Sequence, residues 1–124
     1  ERRTREGNAD GDEYLRRSVV HQGDRADGEA LLDEAGDAVM MEWEEPIMRL
    51  HAAQMCEAGG DVLNVGFGLG IIDLAIEARN RRSHAIIEAH PEVHARMMAA
   101  GWGARQGVRV HYGRWQEVLP ILPD

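Results

Sequence analysis

Asp61-Val-Leu-Asn-Val-Gly-Phe-Gly-Leu-Gly-Ile-Ile-Asp73 is the stretch on which the fold turns. Val62 to Val65 is an apolar run with the length of a buried strand. A glycine turn follows, with Gly66, Gly68 and Gly70 at alternate positions, and Ile71 opens a helical pattern. Such a turn at a strand's carboxyl end, with a helix N-terminus behind it, lets a ligand lie against bare backbone. A purely structural glycine turn is the competing reading of these residues taken alone.

Working outward, His84 to Glu88 reads as a second buried strand ending in an acid, and Val108 to Tyr112 alternates as a third. Ile71 to Arg79 is the first crossover helix. Pro91 to Ala100 is the second, with proline at its first position and Gly101 as its stop. Upstream, Trp43 to Ala58 predicts a helix with Pro46 in its first turn and Gly59-Gly60 after it. Gln116 to Leu119 begins a short one. Strands alternating with helices imply an α/β fold with a parallel sheet, here truncated after about three strands. Before residue 39 the pattern is weaker. Residues 1–13 are charged and expected to be flexible, within a partly ordered segment 1–30. Tyr14 to Val20 fits a short helix or strand, and His21 to Gly28 reads as a loop. Asp33 to Asp37 is a turn signal, and Val39 to Met41 a short apolar run.

Two ligand classes use this kind of turn, dinucleotides and S-adenosylmethionine. The dinucleotide fingerprint is G-x-G-x-x-G/A. Ile71 stands at its last position and is too bulky for close helix–strand packing, whereas G-x-G-x-G is the usual methyltransferase spacing. Glu88 follows Gly70 by 18 residues. An acid about 20 residues past the glycine turn commonly holds ribose hydroxyls. Gly113-Arg114-Trp115 falls where a third loop would meet the ligand. Glu42, Glu44 and Glu45 gather at a helix start, where the helix dipole favours negative charge. His90 and His94 have the spacing of a metal pair but lack a third ligand, so a non-metal reading is favoured and no metal is expected.

The chain has 124 residues, one small domain's worth, and no run approaches the length of a membrane span. No signal-peptide pattern opens it. Its beginning at Glu1 and stop at Asp124 read as cuts in a longer protein. Cys56 is the single cysteine, which excludes an internal disulfide and suits a reducing compartment, the cytoplasm or also the nucleus. Residues 1–60 carry 15 acidic and 7 basic side chains, so the whole net charge of −8 lies there. That argues against nucleic-acid backbone binding and favours a cationic partner.

Four motifs in order carry a family resemblance: Val39-Met-Met-Glu-Trp-Glu-Glu-Pro-Ile-Met48, Leu63 to Asp73, Ile87-Glu-Ala-His-Pro91 and Gly113-Arg-Trp115. They resemble the type IV protein arginine methyltransferases, which are similar to guanidinoacetate methyltransferase. The resemblance covers about residues 30–123. It implies a Rossmann-like methyltransferase domain of which 31–124 is the N-terminal, cofactor-binding half. It implies S-adenosylmethionine as donor and the delta nitrogen of an arginine in a protein as acceptor, a ribosomal protein being one such substrate. By motif match Gly66, Phe67, Gly68 and Gly70 would line the methionine and ribose side, with Asn64 near the methionine amine. Glu88 would hold the ribose, and Ala89 and His90 beside it would also bind the cofactor. Arg114 and Trp115 would flank the adenine, Met40 and Met48 would close over the cofactor, and Glu44 would contact the guanidino group. The alternatives are a non-catalytic half-domain acting as an interaction subunit, or a small-molecule guanidino methyltransferase. In each case the sheet edge after the third strand is expected to need covering by further chain or a partner.

Overall fold

The protein is described by a computed structural model covering residues 14–23 and 30–123. The stretches expected to be flexible or loop-like at 1–13 and 24–29 lie outside the described residues.

The described residues form two three-stranded sheets. The second is the one expected: β4 (Asp61–Val65), β5 (Ser83–Glu88) and β6 (Val108–Tyr112), parallel and in that order. Helix α2 (Ile71–Glu77) connects β4 to β5, and α3 (Pro91–Ala99) connects β5 to β6. His90 caps α3 by accepting the Glu92 amide, and Pro91 fills its first turn. A short α4 (Trp115–Val118) follows β6. Upstream lies α1 (Glu45–Met55), preceded by a 3-10 turn at Glu42–Glu44. It is shorter than the sequence pattern suggested, because the chain leaves helical geometry at Cys56.

The first sheet was not foreseen. β1 (Val19–Gln22), β2 (Ala30–Asp33) and β3 (Ala38–Met41) form an antiparallel meander. His21 and Gln22 are thus strand residues, not loop. The predicted turn at Asp33–Asp37 is real. Asp33 Oδ1 accepts the Ala35 and Asp37 amides, both at 2.9 Å, which closes the β2–β3 hairpin.

Register decides which face is covered. Paired residues of parallel strands share a face, so Val62, His84 and Val108 point one way, with Asn64, Ile86 and Val110. That face carries both cores. One joins the two sheets through Leu31, Phe67, Ile86, Met97 and Trp102; the other sets α1 on α2 over Val62 through Ala52, Cys56, Ile72 and Ile76. The opposite face is largely bare on β4, where Leu63 is 39% and Val65 49% exposed. This open apolar surface lies on β4, a strand at one edge of the sheet.

Candidate functional site

The glycine turn caps the carboxyl end of β4 and each glycine does something different. Gly66 has φ +91°, and a Cβ there would meet nothing within 4 Å, so its backbone faces open space. Its amide donates to the Ile87 carbonyl at 2.8 Å, which fixes the turn to β5. Gly68 lies under Met40: a Cβ would come 2.8 Å from the sulfur. The Leu69 amide donates to that same sulfur at 3.2 Å. Gly70 is the N-cap of α2 at φ +78°, and a Cβ there would strike the Phe67 ring, 2.9 Å from Cε2. Phe67 itself is buried and packs edge-on to Trp102. So Phe67 and Gly70 shape the turn from beneath, while Gly66 and Gly68 form its open surface.

Glu88 ties the loops together. Its Oε1 accepts the Phe67 amide at 2.9 Å and its Oε2 the His90 amide at 2.8 Å. Its carbonyl accepts the Gly113 amide at 3.0 Å. The side chain is only 7% exposed, yet it borders a cavity of about 400 Å³. That volume suits a small-molecule ligand. Gly66, Gly68, Met40, Ala89, Arg114 and Trp115 line the same cavity.

The remaining expected residues lie elsewhere. Met48 packs on the α1–α2 core rather than over the cavity. Asn64 is turned beneath the glycine turn. His90 is buried: Nδ1 accepts from Glu92, and Nε2 donates to the Arg17 carbonyl at 2.7 Å. Glu44 accepts the Met41 amide at 2.9 Å and thereby closes the turn after β3. It is not part of the cavity wall. Glu45 pairs with Arg49 one turn along α1. His94 packs against Tyr112 with the rings tilted and their centroids 4.7 Å apart.

Several wall residues were given no role by the sequence reading, Tyr14 and Leu15 among them. Tyr14 and Leu15, in a helical turn before β1, close one side of the cavity. The Tyr14 ring lies 5.2 Å from the His90 ring, and Glu92 accepts the Val19 amide at 2.6 Å. Burial, with Glu88 and Asp33 nearby, raises the Tyr14 hydroxyl above the usual phenol value. The signal available was an aromatic–apolar pair standing alone in a charged segment. The Val19 bond lowers the Glu92 carboxyl.

Behind the turn lies a buried polar chain. His84, inaccessible to solvent, places Nε2 2.9 Å from Asp73 Oδ1 and Nδ1 3.0 Å from Glu77 Oε2. Arg81 pairs with Glu77 at 2.8 Å. Asn64 Nδ2 donates to both Asp73 oxygens, at 3.0 and 2.9 Å, and to the Gly66 carbonyl at 3.0 Å. Burial raises the Asp73 carboxyl, a rise that His84 and Asn64 reduce. Burial also pushes Glu77 upward, but Arg81 and His84 outweigh it and leave Glu77 lowered.

The sequence model of the guanidinoacetate N-methyltransferase family matches residues 11–124. The chain belongs to this family. It is similar to several proteins named protein arginine N-methyltransferase 2. The one from Aspergillus oryzae is 46% identical over 110 residues, 88% of this chain and 25% of the relative. That of Yarrowia lipolytica is 40% identical over 116 residues, 89% of this chain and 24% of the relative. That of Saccharomyces cerevisiae is 38% identical over 116 residues, 90% of this chain and 27% of the relative. The chain thus spans about a quarter of the length of the curated relatives it matches. No helix among the described residues is long and apolar enough to cross a membrane.

Proposed function

We propose that this chain forms the donor-binding part of an S-adenosylmethionine-dependent methyltransferase acting on the guanidino group of a protein arginine, at its delta nitrogen. One observation carries the reading. The Gly66–Gly68 backbone and the Glu88 carboxylate face one cavity at the carboxyl ends of parallel strands. Open α/β sheets take their ligands there. The names of the relatives favour a protein arginine over a small guanidino compound as acceptor.

The residues present fit such a cofactor. Gly66 leaves a gap that any Cβ would enter, and Glu88 keeps lone pairs for ribose hydroxyls beyond those given to two amides. Ala89 flanks it, and Arg114 and Trp115 offer planar groups to an adenine. When bound, the cofactor supplies an electrophilic methyl group on a sulfonium. The protein's share is alignment and exclusion of water, with Met40 and Tyr14 as walls. A guanidinium stays charged at neutral pH, and a carboxylate can hold it in place. Glu44 is the acid proposed for this, at the end of the strand that carries Met40.

Calorimetry with S-adenosylmethionine tests the reading. The intact protein should bind it, and Gly68→Val, whose side chain would collide with Met40 at the cavity wall, should remove measurable binding. Equal affinity of wild type and variant would refute the site. Fragmentation mass spectrometry of methylated substrate distinguishes delta from terminal guanidino nitrogens.

A further inference from the structure

We infer that Asp73, held by His84, is a positioning residue for the glycine turn and acts through the Asn64 side chain. This rests on the reading of the cavity as a cofactor site.

The orientation of Asn64 is fixed by its neighbours. Its three partners on one side, both Asp73 oxygens and the Gly66 carbonyl, are all acceptors. Only the NH2 group can face them, so the amide cannot flip. One N–H reaches the Gly66 carbonyl and the other is shared between the two carboxylate oxygens. Asn64 therefore links the cavity surface to a carboxylate with no solvent access. With Asp73 gone, the NH2 group would lose its anchor and could swing away from Gly66.

Asp73 is in turn held from outside its own helix. His84 on β5 meets it, and the other ring nitrogen meets Glu77, which Arg81 pairs. Trp102 covers the His84 ring edge-on. Each ring nitrogen facing a carboxylate oxygen needs a hydrogen between them, and a neutral imidazole supplies only one. The second sits on the ring or on one of the two carboxyl groups. Asp73→Asn keeps only part of this arrangement. The new amide has one acceptor oxygen, and its NH2 stands where a carboxylate oxygen now accepts from Asn64, so one of the two contacts to Asn64 becomes donor against donor while the carbonyl keeps the other. A leucine offers neither bond.

The chain of contacts gives a distinctive pattern of variants. Asn64→Leu should weaken S-adenosylmethionine binding by about tenfold or more, the scale of a lost bond to a buried charged group. Asp73→Leu should weaken it similarly, the double variant should be no worse than either single one, and Asp73→Asn, which keeps one of the two acceptors for Asn64, should restore part of the affinity. Hydrogen exchange on the ligand-free intact protein supplies the second readout. The Gly66 and Phe67 amides should exchange about tenfold faster in Asn64→Leu, as a local opening made easier requires. Asp73→Leu empties a buried site and is the variant at risk of not folding; Asn64→Leu leaves the Asp73–His84 pair in place and then carries the test alone. Unchanged exchange at Gly66 and Phe67 in Asn64→Leu would overturn the inference, as would additive losses in the double variant. Because the exchange arm needs no ligand, failure of the wild type to bind S-adenosylmethionine would sink the cofactor reading while the tether stood.

Discussion

Gly70→Ala isolates what packing beneath the turn is worth. Two costs combine there. The residue has φ +78°, where an L side chain costs about 1–2 kcal/mol. The added Cβ would also lie 2.9 Å from Phe67 Cε2, and closer still to the ring tip. The ring cannot retreat freely, since Phe67 is 7% exposed and stands against Trp102 with centroids 5.2 Å apart. Overpacking of that kind costs about 1–3 kcal/mol. The total is about 2–5 kcal/mol, a large share of a typical domain's stability. Urea denaturation of the intact protein, followed by circular dichroism, measures it. Gly66→Ala is the matched control, because its φ of +91° carries the backbone cost while its Cβ meets nothing within 4 Å. It should cost about 1–2 kcal/mol and no more. Adding Phe67→Leu to Gly70→Ala should recover part of the loss, since the ring is what collides. If Gly70→Ala costs no more than Gly66→Ala, or if Phe67→Leu merely adds its own penalty, the packing argument is wrong.

Glu88→Gln keeps one acceptor oxygen where two amides now compete, so cofactor affinity should fall by about 1–3 kcal/mol by calorimetry; an unchanged dissociation constant would limit Glu88 to holding the loops. Glu44→Gln retains a carbonyl oxygen for the Met41 amide, so melting should barely move. Turnover should still drop about a hundredfold if the charge holds a guanidinium, and intact turnover would assign Glu44 to the turn alone. Glu77 gives a pH dependence. Its folded carboxyl is lowered, so its contribution is complete above the ordinary glutamate value of 4.5 and is lost as pH falls through the lower folded value. Acid titration of stability should show that loss in the wild type and a flatter curve in Glu77→Gln.

The parallel sheet was readable because its signals are local. Val108 to Tyr112 alternates, Pro91 and Gly101 bracket α3, and the glycines mark the turn. The antiparallel sheet was not. Its strands are four residues each, too short for a period, and β1 includes His21 and Gln22 because pairing with Leu31 and Ala30 overrides their polarity. The site divides the same way. Spacing from the turn pointed to Glu88, and strand order to Arg114 and Trp115, all of which reach the cavity. Nothing local could tell that Met48 faces α2, since its own stripe with Ala52 and Met55 and the stripe beside it through Ile47 and Leu50 both carry apolar residues. The Asp73–His84 contact joins residues 11 apart on different elements and leaves no spacing signature.

The bonds around Glu88 also set the order in which the molecule can assemble. The Phe67–Glu88 bond closes a chain segment spanning 21 residues, and the Gly113 amide reaches Glu88 only after β6 has docked beside β5. Contacts of that kind form late, once loop-closure entropy has been met by the strands themselves. The cavity rim is then largely unformed in the folding transition state. A ligand that grips it should leave the rate of folding almost unchanged and slow unfolding instead, lengthening the lifetime of the native protein.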